Sequence, residues 1–256
     1  MKFSLTCVLV LITLIMIKNN IHYLILALAG IVAAWFIGNG FKRKPHGEYI
    51  AVTGMAEVSF TSDDIHWSGS FSRSSAEMKD AYQLIKADKD KVYQYFKGQG
   101  VHDSEMVFGT VNLDRQYEDI RSDGIYRSVF VGYKATQGIK IRSRRIDAIE
   151  AIVKESMNLV ENGIEFNANS PEFYYTRLSE LKLELISQAA SDASARAKKI
   201  AEASDCQLGS LKSSDLGVFQ ITGENDNEEY SWGGVFNTSS KRKTARVTVS
   251  SNFATH

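Results

Sequence analysis

Cysteine and proline are almost missing from these 256 residues, which hold only Cys7, Cys206, Pro45 and Pro171. With one cysteine beyond the N-terminal segment, an internal disulfide framework is excluded, and the chain must hold itself by an apolar core. So little proline, with regular turn punctuation, argues against a disordered chain. Net charge is missing too, because 30 basic residues meet 30 acidic ones. A chain without a global field has no general preference for nucleic acid or anionic lipid. Absent as well are the Gly-x-Ser-x-Gly elbow, the phosphate loop and the Rossmann fingerprint.

What is present first is a long apolar run. Residues 21–41 carry no formal charge and are closed by Lys42-Arg43-Lys44. About 20 apolar residues in a helix cross a hydrocarbon core of roughly 30 Å. Trp35 and Phe36 sit near its distal end, where aromatic rings favour the headgroup level. A single uncleaved transmembrane signal anchor is expected at 21–41, followed by a linker at 42–48 around Pro45-His46-Gly47. Residues 1–20 read as a separate N-terminal segment, apolar from Phe3 to Ile17 and broken by Lys18-Asn19-Asn20. Met16 to Asn20 plus the long run is a complete signal-anchor layout, so Met16 is expected as the true start. No lipid-attachment pattern precedes Cys7. Charge leaves the orientation open: Lys42-Arg43-Lys44 would keep the following domain inside, and Lys18 with the amino terminus pulls the other way.

Residues 49–256 read as one α+β domain of mainly antiparallel strands covered by three helices, in the order β-β-α-β-β-α-β-α-β-β. Tyr49 to Phe60 and Ile65 to Ser72 flank the turn residues Thr61-Ser62-Asp63-Asp64 and predict a hairpin. Ser74 and Glu77 fit a capping box for a helix whose buried face is Met78, Ala81, Tyr82, Ile85, Val92 and Phe96, stopped by Gly98 and Gly100. Two strands follow, about Ser104 to Tyr117 and Ile125 to Ser143. A second helix is predicted from Arg145 to Asn162, with Ile146, Ile149, Val153, Met157 and Val160 buried and Gly163 as a left-handed stop. After a short strand at Ile164 to Asn169, the third helix runs from Thr176 to Ala203, leucine-faced in its first half and alanine-faced in its second, with Ile200 on its stripe. Leu208 to Thr222 and Arg246 to Phe253 close the domain around a polar loop at Gly223 to Ser231. Ala189, Ala193 and Ala197 form a flat strip expected to pack at close range, on the domain's own sheet or on another subunit.

An ordered series of short motifs resembles the SIMPL-domain family, a widespread bacterial group of mostly unassigned function. Val52-Thr53-Gly54-Met55-Ala56-Glu57-Val58 is similar to its Val-x-Gly-x-Gly-Glu-Val opening. Gly132-Tyr133-Lys134-Ala135 resembles its central strand, Gly163-Ile164-Glu165-Phe166 its short Gly-Ile-x-Phe strand, and Ala189 to Ala197 its Ala-x-x-Asp-Ala-x-x-Lys/Arg-Ala helix. The series spans about Tyr49 to Phe253; Met55-Ala56 stands where a second glycine is usual, and Ser62-Asp63-Asp64 where Pro-Asp is usual. The resemblance implies an α+β fold, a cell-envelope location and no known catalytic residues. It also implies an inner-membrane anchor with the domain on the periplasmic side. Some family members form closed rings, and some are linked to oxidative-stress tolerance.

No residue is assigned to catalysis, a cofactor or a metal. His66, beside Asp63 and Asp64, shares a strand face with Ser68 and Ser70 and is expected to be solvated. His46, His102 and His256 have no ligand spacing. Asn225-Asp226-Asn227-Glu228-Glu229 lacks the calcium-loop spacing and its glycine. Cys206 follows Asp205 at a helix end, where neither charge nor dipole activates a thiol, and is expected to be packed or idle. Lys134, Lys140, Arg142, Arg144 and Arg145 lack interleaved aromatics, so nucleic acid is not expected as a partner. The expectation is a non-catalytic, membrane-tethered, self-associating envelope protein, a scaffold or stress-protective factor, whose partners are the membrane and further copies. The alternative is an extracytoplasmic binding module for a small ligand or peptide.

Overall fold

The computed structural model describes residues 28–36, 49–122, 125–224 and 231–256. Residues 28–36 form a helix (α1) with every side chain exposed; the rest of the expected anchor lies outside the described residues. Among the described residues no helix is long and apolar enough to cross a membrane.

The domain is α+β, as expected, but its strands divide into two sheets. The five-stranded sheet contains β1 (Tyr49–Thr61), β11 (Arg242–Thr255), β9 (Gln220–Gly223), β10 (Val235–Phe236) and β8 (Leu208–Leu216). Its spine is an antiparallel ladder between first and last strands, unbroken from Tyr49↔Ala254 to Thr61↔Arg242. On its other side β11 pairs with β8 and β9. The six-stranded sheet is centred on β2 (Asp64–Ser75) and β5 (Ile125–Ser143), flanked by β3 (Met106–Phe108), β4 (Asn112–Ser122), β6 (Glu165–Ala168) and β7 (Glu172–Tyr174). Only β9 and β10 pair in parallel among the described residues.

The expected β1–β2 hairpin is therefore wrong. β2 pairs with β5 from Ile65↔Ser143 to Ser75↔Tyr133, and β1 pairs with β11. Ser62 and Asp63 make a corner between sheets. Ser62 donates its amide to Lys241 O at 2.9 Å, Asp63 donates to Tyr174 O at 2.9 Å, and the Asp63 carboxylate accepts from Thr176 N and Oγ1 at 2.7 Å each. Turn-forming residues suit such a corner as well as a hairpin, and the long-range bonds decide between them.

Each sheet carries helices on one face. α2 (Met78–Gly98) and α3 (Ile146–Lys154) cover the six-stranded sheet, burying Ile85, Phe96 and Ile149 against Trp67, Phe71 and Ile139. Met78 and Tyr82, assigned to that face, are 46% and 48% exposed. The Ser74–Glu77 capping box does not form, because β2 continues to Ser75 and no side chain caps the helix start at Glu77. The helix expected from Arg145 to Asn162 breaks into α3 and a single turn, α4 (Asn158–Glu161). The break shifts the phase, so Ile152 and Leu159 are buried while Met157 and Val160 are exposed. α5 (Leu178–Ala203) covers the five-stranded sheet.

Three helix ends share one device. Gly100, Gly163 and Asp205 have φ of 89°, 75° and 50°, and the next amide bonds back across the last turn: Val101 N to Phe96 O, Ile164 N to Leu159 O and Cys206 N to Ala201 O, at 3.0–3.1 Å. This left-handed cap places an apolar residue just past the helix. Val101 and Ile164 are buried there, and Cys206 fills the equivalent, half-buried position.

Ion pairs fasten the six-stranded lobe. Asp88, buried in α2, receives Arg73 Nε and Nη2, and Arg73 Nη2 also donates to Gly163 O at 2.6 Å. Burial pushes the Glu105 carboxyl up, but bonds from Arg145, Ser143 and the His102 amide outweigh it and hold the group at about 2, against 4.5 ordinarily. A carboxylate with a depressed folded pKa stabilises the fold above its unfolded pKa, and that stability is lost as pH falls through the folded value. Glu105→Gln should thus cost about 2–3 kcal/mol at pH 7 and progressively less between pH 4.5 and pH 2. Urea melts of both proteins across that window check this; a constant difference would assign the loss to packing.

Candidate functional site

A polar cluster surrounds Asp64, which is buried where β2 begins. Its Oδ2 accepts from Arg142 Nε at 2.8 Å and lies 3.0 Å from His66 Nε2. The imidazole packs on Tyr174 with centroids 4.4 Å apart, and Tyr174 donates to Glu172 at 3.0 Å. His66 is thus half-buried and carboxylate-bound, where full solvation was expected. Asp63, its presumed neighbour, serves the corner at Thr176 instead. The groove beside His66, about 370 Å³, is lined by Trp67, Ser68, Lys140, Arg142, Ser170 and Glu172. A histidine–aspartate pair can move a proton, and here the cluster ties β2, β5 and β7 together.

The other candidates fall apart in space. Lys134 pairs with Glu165 at 2.9 Å and Arg145 with Glu105, so the basic face is largely neutralised by carboxylates. Residues 225–230, the acidic loop, lie outside the described residues, as does His46. Among the described residues no three His, Cys, Asp or Glu side chains group to hold a metal ion. Asn237, which opens an Asn-Thr-Ser glycosylation pattern, is buried and its Oδ1 accepts from Ser240 N at 2.8 Å, so it builds a turn.

The residues that do converge lie where α5 meets β1. Ala189, Ala193 and Ala197 are fully buried against the five-stranded sheet. The approach is so close that a Cβ on Gly54 would lie 2.8 Å from Ala193 Cα and nearer still to Ala189 O and Ala193 N. Backbone cannot yield as a side-chain tip can, so glycine on β1 and alanine on α5 are one requirement. Beside them the Asp192 carboxylate accepts from Met55 N at 2.8 Å and from Arg196 Nε at 2.8 Å. These amide and guanidinium bonds keep the Asp192 carboxyl below the usual carboxylate range despite some desolvation. Arg196, Ala195, Lys199 and Ile200 then face Ala51, Val52 and Thr53 across an open groove of about 600 Å³. Ile200, placed on the buried stripe from periodicity, is 44% exposed as part of that wall.

The second surface is an arm. β4 and the first part of β5 pair from Gln116↔Gly132 to the hairpin end, with an irregularity at Gln116/Tyr117 that leaves Val131 as the extra residue. Gly132 (φ 145°) passes so close to Ser75 O, 2.6 Å from a would-be Cβ, that a side chain is excluded at its root. Beyond it Tyr117, Ile120, Tyr126, Val129, Phe130 and Val131 are all between 42% and 71% exposed. Tyr117 and Phe130 meet edge to face at 5.7 Å. Sequence reasoning placed β5 correctly but read one strand at about Ser104 to Tyr117, where β3 and β4 form with β4 running on to Ser122, and missed the arm, because strand periodicity does not reveal that both faces are bare.

An α+β domain of two mainly antiparallel sheets, each covered by helices and one of them through a glycine–alanine contact, is the class this geometry defines. The family model SIMPL, protein of unknown function (DUF541), matches residues 50–252, and the chain belongs to that family. Among curated proteins none matches the chain.

Gly54→Ala should destabilise the domain by about 1–3 kcal/mol, since the added methyl displaces α5 backbone. Denaturant midpoints check this, with Ser59→Ala on the same strand as control; equal midpoints would mean that α5 does not bear on Gly54.

Proposed function

We propose that this SIMPL protein is a non-catalytic scaffold of the cell envelope, tethered by the apolar run at 21–41 and built up from copies of itself. The arm carries the reading. Six exposed apolar side chains on one hairpin, with Tyr117, Tyr126 and Phe130 on one face and Ile120 and Val129 on the other, make surfaces that monomeric soluble proteins rarely leave uncovered. The hairpin adds little to its own lobe's core, since no described side chain from 117 to 131 is buried. Strand β4 pairs only with β5 among the described residues, so its outer edge is available to another chain. Membrane tethering is supported by the charge-free run and by α1, which exposes Leu28, Ile31, Val32, Trp35 and Phe36. A periplasmic side is supported by the signal-anchor layout and the family resemblance, as is a stress-protective role by the resemblance alone. The open groove between β1 and α5 favours a second reading, an extracytoplasmic binding module for an extended peptide.

Replacing Tyr117 by Lys together with Phe130 by Glu keeps an attractive pair across the arm while removing its apolar surface. The doubly substituted full chain should melt like the parent yet sediment as a smaller species in detergent. A parent that is monomeric at every concentration, or a variant that assembles equally well, would overturn the scaffold. Alkaline phosphatase, which is active only after export, should be active when fused after His256; an inactive but expressed fusion would place the domain inside the cell.

A further inference from the structure

Two open strand edges among the described residues are complementary. Along β1 the direction of each backbone group follows from two bonds. Ser62 N continues the β11 ladder by donating to Lys241 O, whereas Met55 N donates away from β11 to Asp192. Residues alternate in an antiparallel ladder between facing the partner strand and facing away. The odd-numbered residues Tyr49, Ala51 and Thr53 therefore turn their N–H and C=O groups to the outer edge, where nothing among the described residues receives them. Asp192 closes this row at Met55, leaving a three-residue window.

That window lies in the groove roofed by α5. Ile200 supplies an exposed apolar wall, and Arg196 and Lys199 bring cationic heads beside it. Both cations have carboxylate partners on their own helix, Asp192 and Glu202, at exposed positions where exchange with another carboxylate costs little. The other open edge, β4, reads Asn-Leu-Asp-Arg-Gln-Tyr-Glu-Asp-Ile-Arg-Ser. It carries the acids Asp114, Glu118 and Asp119 beside the exposed apolar groups Tyr117 and Ile120.

We infer that the β1 edge at Tyr49–Thr53 receives strand β4 of a second copy, joining the arm of one molecule to the α5 groove of the next. The inference rests on the self-association proposed above and names its partner surface. Strand addition satisfies the outward amides and carbonyls on both edges, and register then rests on side chains in the flanking groove. Ile120 meets the apolar wall, and Glu118, on the same strand face, reaches Arg196 and Lys199. Because the two edges differ, the contact is head to tail, and each added copy presents a fresh edge of each kind.

Two experiments on the full chain test this, both in a Cys7→Ser, Cys206→Ser background. Copies carrying Ala51→Cys are mixed with copies carrying Asp119→Cys and treated with a short bifunctional maleimide in native membranes. A crosslinked dimer should form in the mixture and not in either population alone. Ala51→Pro removes an outward amide without touching the β11 ladder, where an edge strand tolerates proline. It should weaken association about tenfold or more while the melting temperature stays near the parent's. If the Tyr117→Lys, Phe130→Glu variant dissociates but Ala51→Pro assembles normally and the mixture gives no crosslink, the scaffold reading stands and this surface is wrong. If the parent never associates, both fall. Should Ala51→Pro fail to fold, the mixed crosslink alone decides.

Discussion

The first strand of the domain is held by the last, and most of the architecture depends on that ladder. Thirteen register pairs join residues nearly two hundred positions apart, without a slip. β1 pairs with β11 and does not fold back on β2, which passes into the second sheet and lies between β5 and the short strands β6 and β7. β11 becomes the centre of its sheet, with β8 and β9 on the far side, and β1 becomes a border strand. Closing contacts of such sequence separation costs more chain entropy than forming the local helices or the β4–β5 hairpin. The seam between the sheets is then set by a few buried polar bonds. Lys243, on β11, donates to Phe173 O and Asn237 O, and Phe173 N donates to Thr238 O at 2.7 Å.

What was legible in the sequence is what is local. The bounds of β5, the stops at Gly100 and Gly163 and the extent of α5 follow from periodicity and from φ > 0 positions. The errors share a cause. Thr61-Ser62-Asp63-Asp64 carries turn chemistry that a hairpin and an inter-sheet corner use equally, and the choice is made by Lys241, Tyr174 and Thr176, far away in the chain. Ser74 and Glu77 have the spacing of a capping box, but cross-strand pairing with Lys134 and Tyr133 keeps Ser74 and Ser75 extended. The stripe from Ile146 to Val160 was continued through residues 155–157, where Ser156 is buried and bonds Val153 O, interrupting the helix.

The candidate surfaces were legible to different depths. Gly54, Ala189, Asp192, Ala193 and Arg196 were visible as motif residues, yet nothing in their spacing says that the glycine lies under the alanines or that the aspartate takes a strand amide. Asp192 reads as a solvated helix residue until β1 is placed beside it. Ile200 shows the reverse failure: the period assigns it to the core, while the helix, passing beyond the sheet border, leaves it half in solvent. His66 was misjudged because strand alternation identifies a face but not what the neighbouring strands bring to it, here Arg142 and Tyr174.

Border strands invite unwanted pairing, and proteins blunt them with charges, bulges or covering segments. Among the described residues the chain blunts β1 at Met55, through Asp192, and leaves the neighbouring window open. The reason lies in the helix above. Alanine and glycine draw α5 so close to β1 that its flank overhangs the border, and residues one step round from the alanine strip, Ala195, Arg196, Lys199 and Ile200, become a wall. A larger residue at Gly54 would lift the helix and flatten that wall together with the core beneath it. Stability of the five-stranded lobe and the shape of its open edge are therefore set by one contact, so a change that loosens the lobe also alters the groove.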